Sequence, residues 1–193
     1  MLLEIIKQFK WVDVFILIIL FRICYIGMKN GLPVEFFKLL GTVTAIYVSL
    51  HNYTLFSDWL QGLMGFKEFP LDFFDFLAFM PLAIAGYLLF VLLRALFYRY
   101  INMEAAPRLN QWGGLALSVV RGFLFSGLII FMLVISSISY FKTSVSESYF
   151  GTRLFRIAPI TYRWLWGAVG SKFMGKEKFN NTVTEIEKEF SGK

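Results

Sequence analysis

The stretch 113-GGLALSVVRGFLFSGLIIFMLVISSISYF-141 decides the fold class, because it is an almost purely apolar run with a single charged residue inside it. A helix of about 20 apolar residues is long enough to cross the hydrocarbon core of a bilayer. The charged residue is Arg121, and an ionisable side chain near the membrane centre costs about 2.5–3.5 kcal/mol on insertion scales. The stretch therefore predicts a transmembrane helix that has to accommodate an arginine.

Three further apolar blocks with few charges precede this stretch. The chain of 193 residues is 58% hydrophobic and only 17% charged, whereas about a quarter of the residues in a soluble domain are charged. This composition predicts an all-α, polytopic membrane protein with four transmembrane helices. The predicted spans are residues 11–28, 34–55, 73–98 and 113–141.

The segments outside the spans are short. Residues 1–10 are predicted to form an N-terminal amphipathic lead. Residues 153–170 place three arginines near one helical face and aromatic side chains elsewhere, which is typical of an amphipathic helix in the headgroup region, and Pro159 would bend it. Residues 171–193 form a charged tail, predicted to be a short solvated helix.

Lysine and arginine accumulate on the cytoplasmic side of membrane proteins, so their distribution predicts an orientation. The loop of residues 56–72 has one lysine and three acids and is predicted to face outward, whereas the loop of residues 99–112 has two arginines and is predicted to face the cytoplasm. The link of residues 29–33 then lies inside, and both termini lie outside. Three lysines oppose this assignment: Lys7, Lys10 and Lys142.

Four ionisable residues within the spans form a candidate intramembrane charge cluster: Arg121, Glu35, Arg22 and Asp13. With alternating helix directions, Arg121 and Arg22 fall in the cytoplasmic half, where Glu35 is the only acid. We therefore expect Arg121 to point into the bundle and pair with Glu35, which can also pair with Lys38 at i,i+3. Asp13 lies in the first turn of its helix, where the helix dipole favours a carboxylate. The alternative for Arg121 is that it snorkels to the headgroups.

Small residues recur every four positions in two of the spans, a pattern that allows close helix packing. The fourth span carries Gly114, Ser118, Gly122 and Ser126, and the second carries a matching ridge of Gly41, Ala45 and Ser49. In the link between the first two spans, Gly31 permits a turn. A link this short predicts that these two helices are antiparallel neighbours.

Few residues suggest catalysis or metal binding. The single cysteine, Cys24, excludes an intramolecular disulfide, and the single histidine, His51, has only Asp58 as a nearby acid in the sequence. No nucleophile with a base, phosphate-binding loop, metal-ligand cluster or nucleic-acid motif is present. We therefore expect a non-enzymatic protein without cofactor, metal or nucleic acid, whose partners are the bilayer and possible other copies or membrane proteins.

Two motifs resemble the bacterial colicin V production protein family, the CvpA-like membrane proteins. The family opens with aromatic-x-Asp and then basic-Gly-x-x-x-Glu; here these read Trp11-Val12-Asp13, and Asn30-Gly31 followed by Glu35. Its last span carries Gly-x-x-x-small-x-x-Arg-Gly, which matches Gly114, Ser118, Arg121 and Gly122. Two charges of the family pattern are missing, because Asn30 replaces a basic residue and Asn110-Gln111 replaces an acidic-Arg pair. The resemblance covers roughly residues 10–165.

The resemblance implies an inner-membrane protein that supports colicin V production or export in some bacteria, and envelope maintenance more widely. It leaves two hypotheses for the molecular role. The first is a non-enzymatic accessory or scaffold factor in toxin production or envelope homeostasis. The second is a small oligomeric transporter or channel subunit, in which Arg121, Arg22 and Glu35 surround a polar path.

Overall fold

The computed structural model describes residues 9–64, 70–100, 107–136, 138–175 and 177–192. All regular secondary structure in these ranges is helical, which confirms the predicted fold class. Most of the predicted N-terminal lead, residues 1–10, lies outside the described residues. The helices are α1 (Trp11–Asn30), α2 (Leu32–Met64), α3 (Leu71–Tyr100), α4 (Pro107–Ile135), α5 (Ser139–Ser146), α6 (Tyr149–Leu154), α7 (Ile157–Leu165), a π-helical turn (Trp166–Gly170), α8 (Ser171–Phe173) and α9 (Asn181–Ser191).

Helices α1 to α4 are each long and apolar enough to cross a membrane. Helices α2 and α4 pack against each other in the middle of the bundle, α1 packs mainly on α4, and α3 packs mainly on α2. The bundle has two ends. At the link end, Gly31 joins α1 to α2 beside the start of α4. At the terminal end, the start of α1 meets the segment that follows α4.

Helices α1 and α3 match their predicted spans to within two residues at each end, whereas α2 and α4 differ by more. Helix α2 continues nine residues beyond the predicted end at residue 55, because Asp58 and Gln61 lower hydropathy without interrupting a helix. Helix α4 begins at Pro107, where a proline suits the first helical position, and ends at Ile135. The predicted continuation to residue 141 is wrong, since a new helix begins at Ser139.

The segment predicted as one interfacial helix, residues 153–170, consists of several pieces. The helix is interrupted at Phe155 and Arg156, not at Pro159, which lies in the first turn of α7, where a proline is tolerated. Leu154 and Phe155 are buried in the core, whereas Arg153, Arg156, Arg163 and Trp164 are exposed. This segment is therefore part of the folded bundle.

The predicted solvated tail, residues 171–193, also packs on the protein. Helix α9 buries Val183 and Phe190, and the ring of Phe190 lies 4.4 Å from that of Phe155 between centroids. A short helix with an apolar stripe is stabilised mainly by such tertiary contacts. The terminal end of the bundle is consequently covered by residues from the last quarter of the chain.

Candidate functional site

The carboxylate of Glu35 is the centre of a buried charge cluster near the link end. Glu35 lies in the first turn of α2, and its side chain is fully enclosed. Its Oε1 accepts hydrogen bonds from Nδ2 of Asn30 at 2.8 Å and from Nζ of Lys38 at 3.0 Å. Its Oε2 lies 2.8 Å from Nη2 of Arg121 on α4. One acid therefore connects α1, α2 and α4.

Arg121 points into the bundle, as the pairing hypothesis requires. Its side chain is only 10% exposed. Arg121 also lines two cavities, and its buried Nε has no hydrogen-bond partner among the described residues. The single contact with Glu35 balances the charge of Arg121 but uses only part of its hydrogen-bonding capacity, because a guanidinium offers five N–H donors.

The link between α1 and α2 sets the position of Glu35 relative to α4. Gly31 has φ of +79°, in the left-handed region that favours glycine. A Cβ at this position would overlap the amide group of Asn110. The Oδ1 atom of Asn110 accepts a hydrogen bond of 2.8 Å from the backbone N–H of Leu32 at the start of α2. Asn110 thus satisfies one of the free N–H groups at that helix end.

The small-residue ridge of α4 packs against α1 and not against the matching ridge of α2. The ridge residue Ser118 lies against Gly27, where a Cβ would overlap it. A Cβ on Gly114 would lie 2.5 Å from the carbonyl oxygen of Gly27, and one on Gly122 would lie 2.9 Å from Leu20. The last ridge residue, Ser126, is buried as well. Close packing at the ridge therefore joins α4 to α1.

The ridge of α2 faces α3. A Cβ on Gly41 would lie 3.2 Å from the ring of Tyr87, and one on Gly86 would lie 2.9 Å from Cα of Ala45. Ser49 is buried and donates a hydrogen bond of 2.6 Å to the carbonyl of Ala45 in its own helix. The two ridges thus serve two different interfaces, each with a glycine, Gly27 or Gly86, on the opposing helix.

Asp13 is not part of the charge cluster. It is buried near the terminal end, and its carboxylate accepts hydrogen bonds from the backbone N–H groups of Lys10, Tyr149 and Phe150 at 2.9, 3.2 and 2.7 Å. Nine residues separate it from Arg22, roughly 13 Å along α1. Asp13 instead holds the N-terminus of α6 against that of α1, where the two helix dipoles favour its negative charge.

Arg22 lies beside the cluster but not inside it. Its side chain is exposed on the outer surface of α1 and lines a shallow cavity together with Lys38 and Arg121. No acidic side chain among the described residues forms an ion pair with Arg22. Of the four predicted members, the structure brings together Arg121 and Glu35, places Arg22 nearby and separates Asp13.

The sequence interpretation missed Asn30 and Asn110 as members of this site. The family pattern has charged residues at these positions, yet Asn30 donates a hydrogen bond to Glu35 and Asn110 accepts one from the first turn of α2. An uncharged amide can make the same hydrogen bonds as a charged group. Their positions in the sequence could have indicated this role. Asn30 directly precedes the link glycine Gly31, and Asn110 lies three residues before Gly113 at the start of the last span.

A second polar cluster lies at the terminal end around His51. Its Nε2 is 2.8 Å from a carboxylate oxygen of Glu177, and its Nδ1 is 2.9 Å from the hydroxyl of Tyr162. That hydroxyl accepts a hydrogen bond of 3.0 Å from the backbone N–H of Asn180. These partners lie more than 100 residues from His51. The histidine therefore helps to dock the C-terminal segment on α2.

The environment of Tyr162 keeps its hydroxyl protonated. Burial raises the pKa of Tyr162 to about 12, although the hydrogen bond from Asn180 acts in the opposite direction. Since the oxygen accepts from Asn180, its own hydrogen is free for Nδ1 of His51, and the hydrogen on Nε2 can then reach Glu177.

Neither cluster resembles a metal site, since no group of three or more His, Cys, Asp or Glu side chains within the described ranges could hold a metal ion. The charges of the link-end cluster are used in holding three helices together.

Comparison with known proteins identifies the family. The family model for the colicin V production protein matches residues 12–159, which include the complete link-end cluster and Asp13. No curated protein and no solved structure matches the chain. Because the family model covers well over half of its length, the chain belongs to the colicin V production protein family.

Proposed function

We propose that this protein is a non-enzymatic accessory or scaffold factor of the bacterial inner membrane, acting in toxin production and secretion or in envelope homeostasis. The observation that carries the proposal is that the enclosed carboxylate of Glu35 connects three helices. Its contacts with Asn30, Lys38 and Arg121 tie α1, α2 and α4 together. A carboxylate so enclosed serves the fold and not a passing solute.

The outer surface of the bundle supports the same proposal. Helices α1 and α3 display many large apolar side chains that the chain itself does not cover, among them Phe21, Tyr25 and Leu92, each more than 60% exposed. In a membrane this surface is available to lipid and to other membrane proteins, including further copies of this chain.

The second candidate is a small oligomeric transporter or channel subunit. The observation that favours it is that Arg121 lines two neighbouring cavities. An ionisable side chain beside an intramembrane cavity is a common feature of transport paths. In that case the charges of Glu35 and Arg121 would be required for activity as well as for stability.

The two candidates differ in what they predict for a neutral variant, Glu35→Gln with Arg121→Gln. If the protein is an accessory factor, the neutral variant should still restore function to a deletion strain when its abundance equals that of the wild type. The reason is that the surfaces that contact partners are unchanged. An accessory factor should also give no ion or solute flux in proteoliposomes beyond that of empty vesicles. Flux with the wild type that disappears in the folded neutral variant would overturn the accessory role and favour transport.

We also propose that the link end faces the cytoplasm and that both termini lie outside. Lys29, Arg99 and Arg108 at the link end support this orientation, whereas the terminal end carries Lys10, Lys142 and three exposed arginines, Arg153, Arg156 and Arg163, which oppose it.

A further inference from the structure

Arg22 is a cation on the outer surface of a transmembrane helix without an acidic partner among the described residues. It lies eight residues from the end of α1, about 12 Å along the helix axis. An arginine at such a depth is unfavourable unless an anion or water meets it. Apolar side chains of the same helix, Ile19 and Ile26, lie with it along one cavity.

Two other cations lie at this cavity. Lys38 and Arg121 line it together with Arg22, and the cavity has a volume of about 300 Å³. Glu35 is the only acid in contact with any of the three within the described ranges. Three positive charges and one negative charge leave the group with a net charge of +2. The cavity is therefore suited to an anion.

Arg121 also has a donor left for that anion. Its side chain is nine-tenths buried, and its Nε lacks a hydrogen-bond partner in the described part of the chain. A buried donor without a partner is unfavourable, and native structures contain few of them. Because a guanidinium has five N–H donors and Glu35 contacts only Nη2, Arg121 has further donors for an anionic oxygen in the cavity that it lines.

An apolar cavity continues from the cationic one. It has a volume of about 390 Å³ and is lined by residues of all four transmembrane helices, sharing Ile23, Arg121 and Phe125 with the first cavity. Ile84 and Leu88 also line it and are about half exposed, so it opens on the surface that faces lipid. Its volume lies within the roughly 300–1,000 Å³ of ligand sites.

A cationic cavity joined to an apolar one fits a ligand with a charged head and a hydrocarbon chain. We propose that this groove binds one phospholipid, whose phosphate contacts Arg22, Lys38 and Arg121 and whose acyl chain occupies the apolar cavity. A phosphate can serve several cations at once, and arginine matches its geometry well. The site does not depend on either candidate function.

The test uses purified full-length protein, delipidated in a maltoside detergent, with bound lipid counted by native mass spectrometry. The probe is dioleoyl phosphatidic acid, and its matched control is dioleoylglycerol, which has the same chains without the phosphate. We expect one molecule of phosphatidic acid per chain and at least tenfold weaker binding of dioleoylglycerol. Equal binding of the two lipids would overturn the proposal.

Two variants locate the site. Arg22→Gln should weaken binding of phosphatidic acid about tenfold without lowering the melting temperature, because the side chain is exposed and unpaired. Arg156→Gln removes an equally exposed arginine at the terminal end and should leave binding unchanged. Equal effects of the two substitutions, or no effect of Arg22→Gln, would refute the proposed contacts.

Inorganic phosphate distinguishes a lipid from a soluble anion. If the lipid is the ligand, millimolar phosphate should not displace phosphatidic acid, because it gains nothing from the apolar cavity. Displacement at concentrations similar to those of the lipid would show that the site takes a soluble phosphate and would overturn the lipid assignment.

Discussion

An arginine inside an apolar helix is tolerated when its charge is balanced, and Glu35 provides that balance for Arg121. The carboxylate is fully enclosed, and its 2.8 Å contact with Nη2 of Arg121 crosses from α2 to α4. Lys38 and Asn30 reach the other oxygen of the same carboxylate. Removing Glu35 leaves Arg121 and Lys38 without their acid, and removing Arg121 leaves Lys38 to balance the buried carboxylate from its own helix. Either loss is more costly than removing the whole pair.

We therefore predict a strong coupling between Glu35 and Arg121. Glu35→Leu and Arg121→Leu should each lower the free energy of unfolding by about 3–5 kcal/mol. The double variant should lose much less than the sum of the two. Reversible unfolding in mixed micelles would measure this cycle. Additive losses would contradict the pair, and Lys142→Leu, at an exposed ion pair, serves as a control expected to cost about 1 kcal/mol or less.

At the scale of the helices, contact between glycines and small residues decides which helices are neighbours. Gly27 on α1 meets Gly114 and Ser118 on α4, while Gly86 on α3 meets Ala45 on α2. Without a hydrophobic driving force between helices in lipid, such close packing contributes much of their association. The position of α1 on α4 in turn brings Asn30 to Glu35.

Gly114→Leu should accordingly separate α1 from α4. A Cβ at this position already approaches the carbonyl of Gly27 to 2.5 Å, and a larger side chain cannot be accommodated without moving the backbone. We expect a melting temperature lower by 5 °C or more, since a loss of 1 kcal/mol shifts the midpoint by about 2–4 °C in proteins of this size. The control is Val120→Leu on the same helix, because Val120 is about half exposed and should tolerate the change. Similar melting temperatures of the two variants would argue against the close contact.

For the whole molecule, the two ends of the bundle have different constructions. The link end is held by Gly31, Asn110 and the Glu35 cluster. The terminal end is covered by the segment after α4, which is anchored through Asp13 and through the contacts of His51 with Tyr162 and Glu177. This segment joins both the beginning of α1 and the far end of α2, so it stabilises the bundle as a whole.

The orientation of these ends can be measured by cysteine labelling in intact cells, on a background in which Cys24 is replaced by serine. Gly65→Cys should react with a membrane-impermeant maleimide added outside, and Ala105→Cys should react only after the membrane is made permeable. The physical reason is the excess of arginine in residues 99–112 over residues 56–72. The opposite labelling pattern would reverse the orientation.

Hydropathy was sufficient to predict the four spans. The depth of each charged residue along its span was sufficient to predict the Glu35–Arg121 contact. Apolar length defines a membrane helix, and alternating helix directions leave Glu35 as the only acid at the depth of Arg121. The helix ends were less accurate, since hydropathy changes at Leu55 while helix propensity does not.

The tertiary structure alone decided which surfaces meet. The ridges of α2 and α4 look equally suited to each other in sequence, but the deciding partners are Gly27 and Gly86, and only three-dimensional packing selects them. Asp13 lies outside the predicted cluster, because its carboxylate accepts hydrogen bonds from backbone N–H groups more than 130 residues away in the sequence. His51 likewise contacts Glu177, a residue far away in the sequence, through the packing of the C-terminal segment on α2. Composition and periodicity determine which segments form membrane-spanning helices. Contacts between residues distant in sequence depend on how all the helices pack together.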